Sequence, residues 1–415
     1  MKLSQKIAFN TIAQILGRVF SSGTTLIVTM LTLRYFGVED FGRLTAIMIY
    51  YAYFFLFADF GFNAMVVREA ARNKSQAASY FSSLFSLRFF ISLGLMAVSL
   101  LILMLLPFPY NQSIIRWGVL IGLTAILANS ILTSANAVFQ FHLRYDRSTM
   151  AIGLGCVLNL VLVGLFLKLG YSLLSLVVAG TVGSIVMGLA ALILAKKQLP
   201  QLKFMINLSV YKKFFWLTLP LGLTLILNLA YFKIDKLLIP VLRSLQELGL
   251  YETAYKVFDF SLVFPIFFMN AVYPAMAKVA DDKIQYQRVF KKAFMVLFLT
   301  SFLGLAMGWP AAPLVIKFIA GQDLPESTLV LRILFFSLPL FFLSALLMWD
   351  LILKDKQKIL VFIYGVGLVI NVVLNLIFIP QFGILAAAVN TGLTEAAVLI
   401  LLFCSSLARW RQNAT

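Results

Sequence analysis

Hydrophobic and polar positions alternate along this chain on a scale of about twenty residues. Long apolar runs are separated by short segments rich in Lys, Arg, Gly and Pro. Each run is about the length that a hydrocarbon core of ~30 Å demands of one helical crossing. Twelve runs are visible, centred on 9–33, 44–64, 81–106, 115–138, 149–169, 172–195, 214–238, 250–276, 293–318, 328–350, 359–379 and 384–407. The period-two pattern of membrane strands is absent, so the runs predict helices. Two pairs are joined by turns short enough to make hairpins: Leu169-Gly170-Tyr171 links the fifth and sixth runs, and Pro380-Gln381-Phe382-Gly383 the eleventh and twelfth.

Composition turns this pattern into a class. Of 415 residues, 62% are hydrophobic and only 12% charged, against about 45–50% and 25% in soluble domains. So few charges cannot cover a water-exposed surface, and in lipid only helix bundles or closed barrels satisfy the backbone. The expectation is an all-α integral membrane protein with about twelve transmembrane helices. Its first run is too long for a signal-peptide core and lacks a small-residue cleavage site, so it should persist as a helix. Cys156 and Cys404 lie inside apolar runs and read as packing residues. The lone histidine, His142, reads as a solvated loop group. No metal site or cofactor is expected.

The net charge of +18 is mostly a topology signal. With the N-terminus in the cytoplasm, cytoplasmic segments hold 22 Lys/Arg against five acids, and outer loops hold six against five. This satisfies the positive-inside rule and places both termini in the cytoplasm. A nucleic-acid surface is not needed to explain the basic balance.

The longest polar stretch, 196–213, carries Pro200 and five lysines. It predicts two six-helix lobes, 1–200 and 201–415. Internal similarity supports the division: Glu39-Asp40-Phe41-Gly42 opens the second span and Gln246-Glu247-Leu248-Gly249 the eighth. Val157-Leu158-Asn159 with Phe166 and Gly170 corresponds to Val369-Ile370-Asn371 with Phe378 and Gly383. Six spans per repeat give the lobes the same orientation, an arrangement that suits alternating access around a site near the midplane.

Polar residues inside apolar runs are the candidates for function, because each charge there costs ~2.5–3.5 kcal/mol on insertion scales. Asn10, Gln14, Arg18, Ser21/Ser22 and Thr25 form one stripe along the first span. Arg18 is too deep to snorkel easily, so its face reads as cavity-lining, the alternative being a buried Arg that stitches helices through carbonyls or a carboxylate. The seventh span, its internal counterpart, carries Pro220, Thr224, Asn228, Tyr231 and Asp235, while Lys233 and Lys236 read as snorkelling anchors. On the eighth, Lys256 and Asp259 have the spacing of an i, i+3 pair. Asp59 and Arg88 lie at similar depth and read as a structural ion pair between helices. Glu395, mid-span without a local cation, is a candidate for coupling to H⁺ or Na⁺ or for a hydrogen bond between helices. Asn371 and Asn375 read as packing hydrogen bonds. No soluble catalytic domain is visible, and no Gly-rich loop followed by Lys-Ser/Thr, so neither an ATP-driven pump nor an enzyme is expected.

Several stretches resemble a known family. Leu33-Arg34-Tyr35-Phe36-Gly37-Val38-Glu39-Asp40-Phe41-Gly42, then Ala58-Asp59-Phe60-Gly61-Phe62 and Arg68-Glu69-Ala70-Ala71-Arg72, look like signatures of polysaccharide-biosynthesis flippases of the Wzx type. Phe36 stands where the family often has Leu. Tyr231-Phe232-Lys233-Ile234-Asp235-Lys236, Leu248-Gly249-Leu250-Tyr251-Glu252-Thr253-Ala254-Tyr255-Lys256, Tyr273-Pro274 and Asn371 to Gly383 continue the match in order. The resemblance implies a MOP (MATE-like) transporter with two six-helix lobes in an inner (plasma) membrane. Its implied cargo is an undecaprenyl-pyrophosphate-linked oligosaccharide, such as an O-antigen repeat unit, turned to the outer leaflet while the tail stays among membrane lipids. On that reading Arg18 and Lys256 bind the pyrophosphate, Gln14, Asn228, Tyr231 and Tyr255 contact sugars, and Glu395 or Asp259 couples an ion. The alternatives are a MATE-like drug/cation exporter, a peptidoglycan lipid-precursor flippase, and a membrane enzyme of polymer assembly.

Overall fold

The computed structural model describes residues 3–280 and 282–412, with side chains described at 14, 16–280 and 282–406. Asn10 of the predicted stripe lies outside the described side chains. The elements are α1 (Leu3–Asp59), α2 (Phe62–Arg72), α3 (Ala77–Leu105), α4 (Ser113–Phe141), α5 (Tyr145–Lys168), α6 (Leu174–Gln198), α7 (Leu208–Leu242), α8 (Leu245–Ser261), α9 (Val263–Lys278), α10 (Lys283–Ala320), α11 (Pro325–Leu353) and α12 (Gln357–Gln412). Among the described residues, ten helical segments are long and apolar enough to cross a membrane. Two of them are double. α1 breaks at Gly37, with φ 83°, and α12 at Gly383, with φ 63°. Each break falls between two predicted spans, so helix covers all twelve. The protein is an all-helical, multi-pass membrane protein.

Two compact units form, Met1–Ile226 and Leu227–Thr415, with the boundary inside α7. The first half of α7 belongs to the first unit because the stretch before it is fastened to α3. Ser82 Oγ accepts from the Lys203 N–H at 3.2 Å, Ser86 donates to the Met205 carbonyl, and Tyr211 donates to Ser86 at 2.7 Å. In the first unit α4 packs against α1, α2, α3, α5 and α6; in the second, α11 packs against α8, α9, α10 and α12. These central helices are the fourth and tenth spans, equivalent positions in the six-span repeat. The hairpin turns repeat as well: Gly170 has φ 71° and Gly383 has φ 63°, a left-handed backbone suited to glycine.

Lipid is as apolar as leucine, so helices here associate through small and polar residues. α3 buries Ser82, Ser83, Ser86, Ser92 and Ser99 and turns Phe90, Leu93, Leu101 and Met104 outward. Backbones approach closely at glycines. A Cβ on Gly188 of α6 would sit 2.7 Å from the Ala128 carbonyl oxygen of α4, and one on Gly155 of α5 2.4 Å from that of Gly183 of α6.

Candidate functional site

The second half of α7 and α8 form a hairpin. Ser244 Oγ caps α8 by accepting from the Glu247 N–H at 3.1 Å, and Arg243 pairs with Glu247 at 2.9 Å. Lys236 lies six residues before the end of α7 and Glu252 seven after the start of α8. Antiparallel register therefore sets them opposite each other, about 10 Å in from the turn. Glu252 is buried and serves two ammonium groups. Its Oε2 lies 2.6 Å from Lys236 Nζ and its Oε1 2.8 Å from Lys256 Nζ. Lys236 also sits 3.7 Å from the Tyr255 ring centroid, a desolvated cation–π contact. Tyr255 donates its hydroxyl to the Phe232 carbonyl at 3.1 Å. Beside this cluster Tyr251 donates to Asp235 Oδ2, while Asp235 Oδ1 accepts from the Lys236 N–H at 2.8 Å.

Two sequence expectations change here. Lys236, expected to snorkel, is 2% exposed, because Glu252 and the Tyr255 face solvate its charge inside the unit. Lys256 pairs with Glu252 four residues earlier rather than with Asp259, in the more favourable order, Glu preceding Lys. Its side chain stays 27% exposed. Asp259 is half-buried and makes no ion pair with a described residue.

A second buried group joins α7 to α12. Tyr231 donates to Glu395 Oε2 at 2.7 Å and stacks on Tyr364, with ring centroids 5.5 Å apart. Asn228 lies beside the Tyr364 hydroxyl. Glu395 Oε1 is buried and makes no well-formed hydrogen bond among the described residues, with the Ser344 hydroxyl as its polar neighbour. Adjacent to it, Asn371, Asn375, Asn390 and Thr394 chain together across the two halves of α12 at 2.6–3.4 Å. Sequence reading missed a third group. Asp350 of α11, fully buried, accepts from Tyr286, from Lys354 at 2.6 Å and from Ser406 at 2.9 Å. The i, i+4 spacing of Asp350 and Lys354 was its visible signal.

The first unit differs. Arg88, 1% exposed, donates to the Asp59 carbonyl at 3.0 Å, to Asp59 Oδ1 at 2.8 Å and to Asn63 Oδ1 at 2.7 Å. Asp59 ends α1 and Asn63 is the second residue of α2, so the guanidinium spans the break that Phe60 and Gly61 make in left-handed backbone. A cation at the carbonyl end of a helix is also favoured by its dipole. Gln14 and Arg18 are exposed on α1. Arg18 lies near the midpoint between Leu3 and the break at Gly37, about 22 Å along the helix. It forms no ion pair with a described residue.

Ten long apolar helical segments among the described residues, two of them double, with ionisable groups buried inside, define a multi-pass membrane protein. The chain belongs to the polysaccharide biosynthesis protein family, whose model matches residues 6–280. The MatE family model matches residues 220–377. A curated relative, capsular polysaccharide biosynthesis protein CapF of Staphylococcus aureus, is 19% identical over 92% of this chain and 94% of its own length. Among solved structures, the lipid II flippase MurJ in an inward closed conformation is similar, with TM-score 0.79 and 15% identity over 96% of this chain and 87% of that one. An inward-facing multidrug resistance MATE transporter of the MOP superfamily matches with TM-score 0.76 and 13% identity over 96% of this chain and 98% of that one. The fold is that of a MOP-superfamily transporter.

Proposed function

We propose that this transporter is a flippase that turns polyprenyl-pyrophosphate-linked oligosaccharide repeat units from the cytoplasmic to the outer leaflet by alternating access. The tail stays in lipid, and the product feeds surface polysaccharide assembly. Membership of the polysaccharide biosynthesis family supports the sugar class. The observation that carries the reading is Arg18: an exposed guanidinium at mid-length of the first apolar helix, with no carboxylate partner among the described residues. Such a charge favours an anionic cargo over a cationic one. Its planar fork matches phosphate oxygens in two parallel bonds.

The other residues take roles that fit their surroundings. Gln14 and Asn228 offer amides to sugar hydroxyls. Tyr231 and Tyr255 are buried with engaged hydroxyls, Tyr231 stacked on Tyr364 and Tyr255 under Lys236, so they meet a sugar only if these contacts open. In the second unit, Lys256 can exchange Glu252 for a phosphate oxygen. Glu395, with one oxygen unbonded, takes the coupling H⁺ or Na⁺, and Asp259 is the second candidate. The charge bias of the loops supports a plasma-membrane protein with both termini in the cytoplasm.

The test is headgroup translocation in proteoliposomes, read by accessibility of a fluorescent polyprenyl-pyrophosphate oligosaccharide to an external quencher. Wild type should flip it. A charge-assisted hydrogen bond contributes about 1.5–3 kcal/mol, so Arg18→Ala should flip about ten- to a hundredfold more slowly. Absence of flipping by folded protein, across several glycans and with imposed H⁺ or Na⁺ gradients, would overturn the reading in favour of drug or cation export.

A further inference from the structure

A groove of about 480 Å³ opens in the second unit, away from the buried charges at the α7–α8 hairpin. Phe290 and Phe294 of α10, Leu343 and Leu347 of α11, and Leu399 and Phe403 of α12 form its walls. Ser406 is the one polar residue among those lining it, and its hydroxyl is committed to Asp350 at 2.9 Å. The walls therefore present hydrocarbon and aromatic rings, with no free donor or acceptor for a polar ligand. Phe294, Phe403 and the neighbouring Ile400 are exposed at the mouth, so the groove is reached from outside the bundle.

One end of this groove is strongly basic. α10 starts with Lys283, Arg288, Lys291 and Lys292, all exposed within its first ten residues. The neighbouring Asp282 is occupied as the helix cap, its Oδ1 accepting from the Ile284 and Gln285 N–H groups at 3.0 Å. Lys283 precedes Phe290 by two helical turns and lies on the same face, and Lys291 flanks the groove between Phe290 and Phe294. An apolar trough ending in lysines at the membrane boundary matches an amphiphile with a hydrocarbon chain and an anionic head. The loop charge bias assigns this end to the cytoplasmic leaflet, where anionic lipids are concentrated and basic pockets between helices hold their headgroups.

We propose that this groove seats an acyl chain of an anionic phospholipid of the bilayer, with the phosphate held by Lys291 at the start of α10. A polyprenyl carrier shares the chemistry of tail and phosphate, but its tail is far longer than a trough of this volume. The lipid is thus a resident of the second unit, independent of what the transporter carries.

The full-length protein in mild detergent, mixed with equal amounts of phosphatidylglycerol and phosphatidylcholine of identical chains, is the test system. Native mass spectrometry reads which lipid survives rising collision energy. Phosphatidylglycerol should be retained over phosphatidylcholine. Each lysine near an anionic surface contributes about 1 kcal/mol, so Lys291→Gln should lower that preference about fivefold, while Lys292→Gln, on the opposite face of α10, should change it little. Ile400→Trp, which fills the mouth, should abolish tight retention while the melting temperature holds. Equal retention of the two lipids, or retention unchanged in both Lys291→Gln and Ile400→Trp, overturns the proposal. So does displacement of phosphatidylglycerol by undecaprenyl phosphate that is itself lost in Ile400→Trp. The two lysine changes alter exposed side chains only, so they decide the matter even if the tryptophan variant unfolds.

Discussion

Glu252 carries an asymmetric load. Lys236 and Lys256 both depend on it, whereas it keeps one partner if either lysine is lost. Removing one member of a buried pair costs about 3–5 kcal/mol because a charge is left unpaired. Glu252→Gln should therefore lower the melting temperature in detergent most and Lys256→Gln least, with Lys236→Met between them. Equal losses from all three would refute the shared-carboxylate arrangement. The same cluster marks how far residues can be read in advance. A polar or charged position inside an apolar run was legible for Lys256, Asp259, Tyr231 and Glu395. Partnership was not: Lys256 has acids at both helical spacings, and only the packed structure selects Glu252. Lys236 meets Glu252 across a hairpin and Tyr231 meets Glu395 across 164 residues, separations about which local periodicity says nothing.

At the scale of helices, the bilayer makes existence easy to read and packing hard. Hydrocarbon thickness fixes the length of a crossing, so all twelve runs were visible, including the two pairs that run on through Gly37 and Gly383. Mean hydropathy does not reveal which face turns inward, since Leu is as content in lipid as in protein. The inward faces are identified by small residues. At Gly188 a side chain would strike the Ala128 backbone carbonyl, which cannot yield as a flexible side chain would. Gly188→Leu should separate α4 from α6 at a cost of about 1–3 kcal/mol or more. Gly164→Leu, with open space around its Cβ position, should be silent. Melting temperature and monodispersity in detergent distinguish the two, and parity between them would contradict the close approach of α4 and α6.

For the molecule as a whole, the proposed transport needs a group through which a gradient can act, and Glu395, whose Oε1 is buried without a hydrogen bond among the described residues, is the candidate. Glu395→Gln can still accept from Tyr231 and so keeps that contact, but it cannot exchange a proton or neutralise a cation. In proteoliposomes the variant should lose at least most of the acceleration produced by an imposed H⁺ or Na⁺ gradient while remaining folded. An undiminished gradient response would remove Glu395 from coupling. The repeat, legible in short motifs, returns as two central helices, α4 and α11, and as paired left-handed glycines at 170 and 383. The outward Phe, Leu and Met side chains have a further consequence, for how such a chain can drift in sequence. A solvent of hydrocarbon distinguishes apolar from polar but hardly one apolar residue from another. Substitutions among Phe, Leu, Ile and Met at lipid-facing positions therefore meet little selection, while the inner serines and glycines are constrained by touching neighbours. Such a chain can exchange most of its letters and keep its architecture, which accounts for a TM-score of 0.79 surviving at 15% identity.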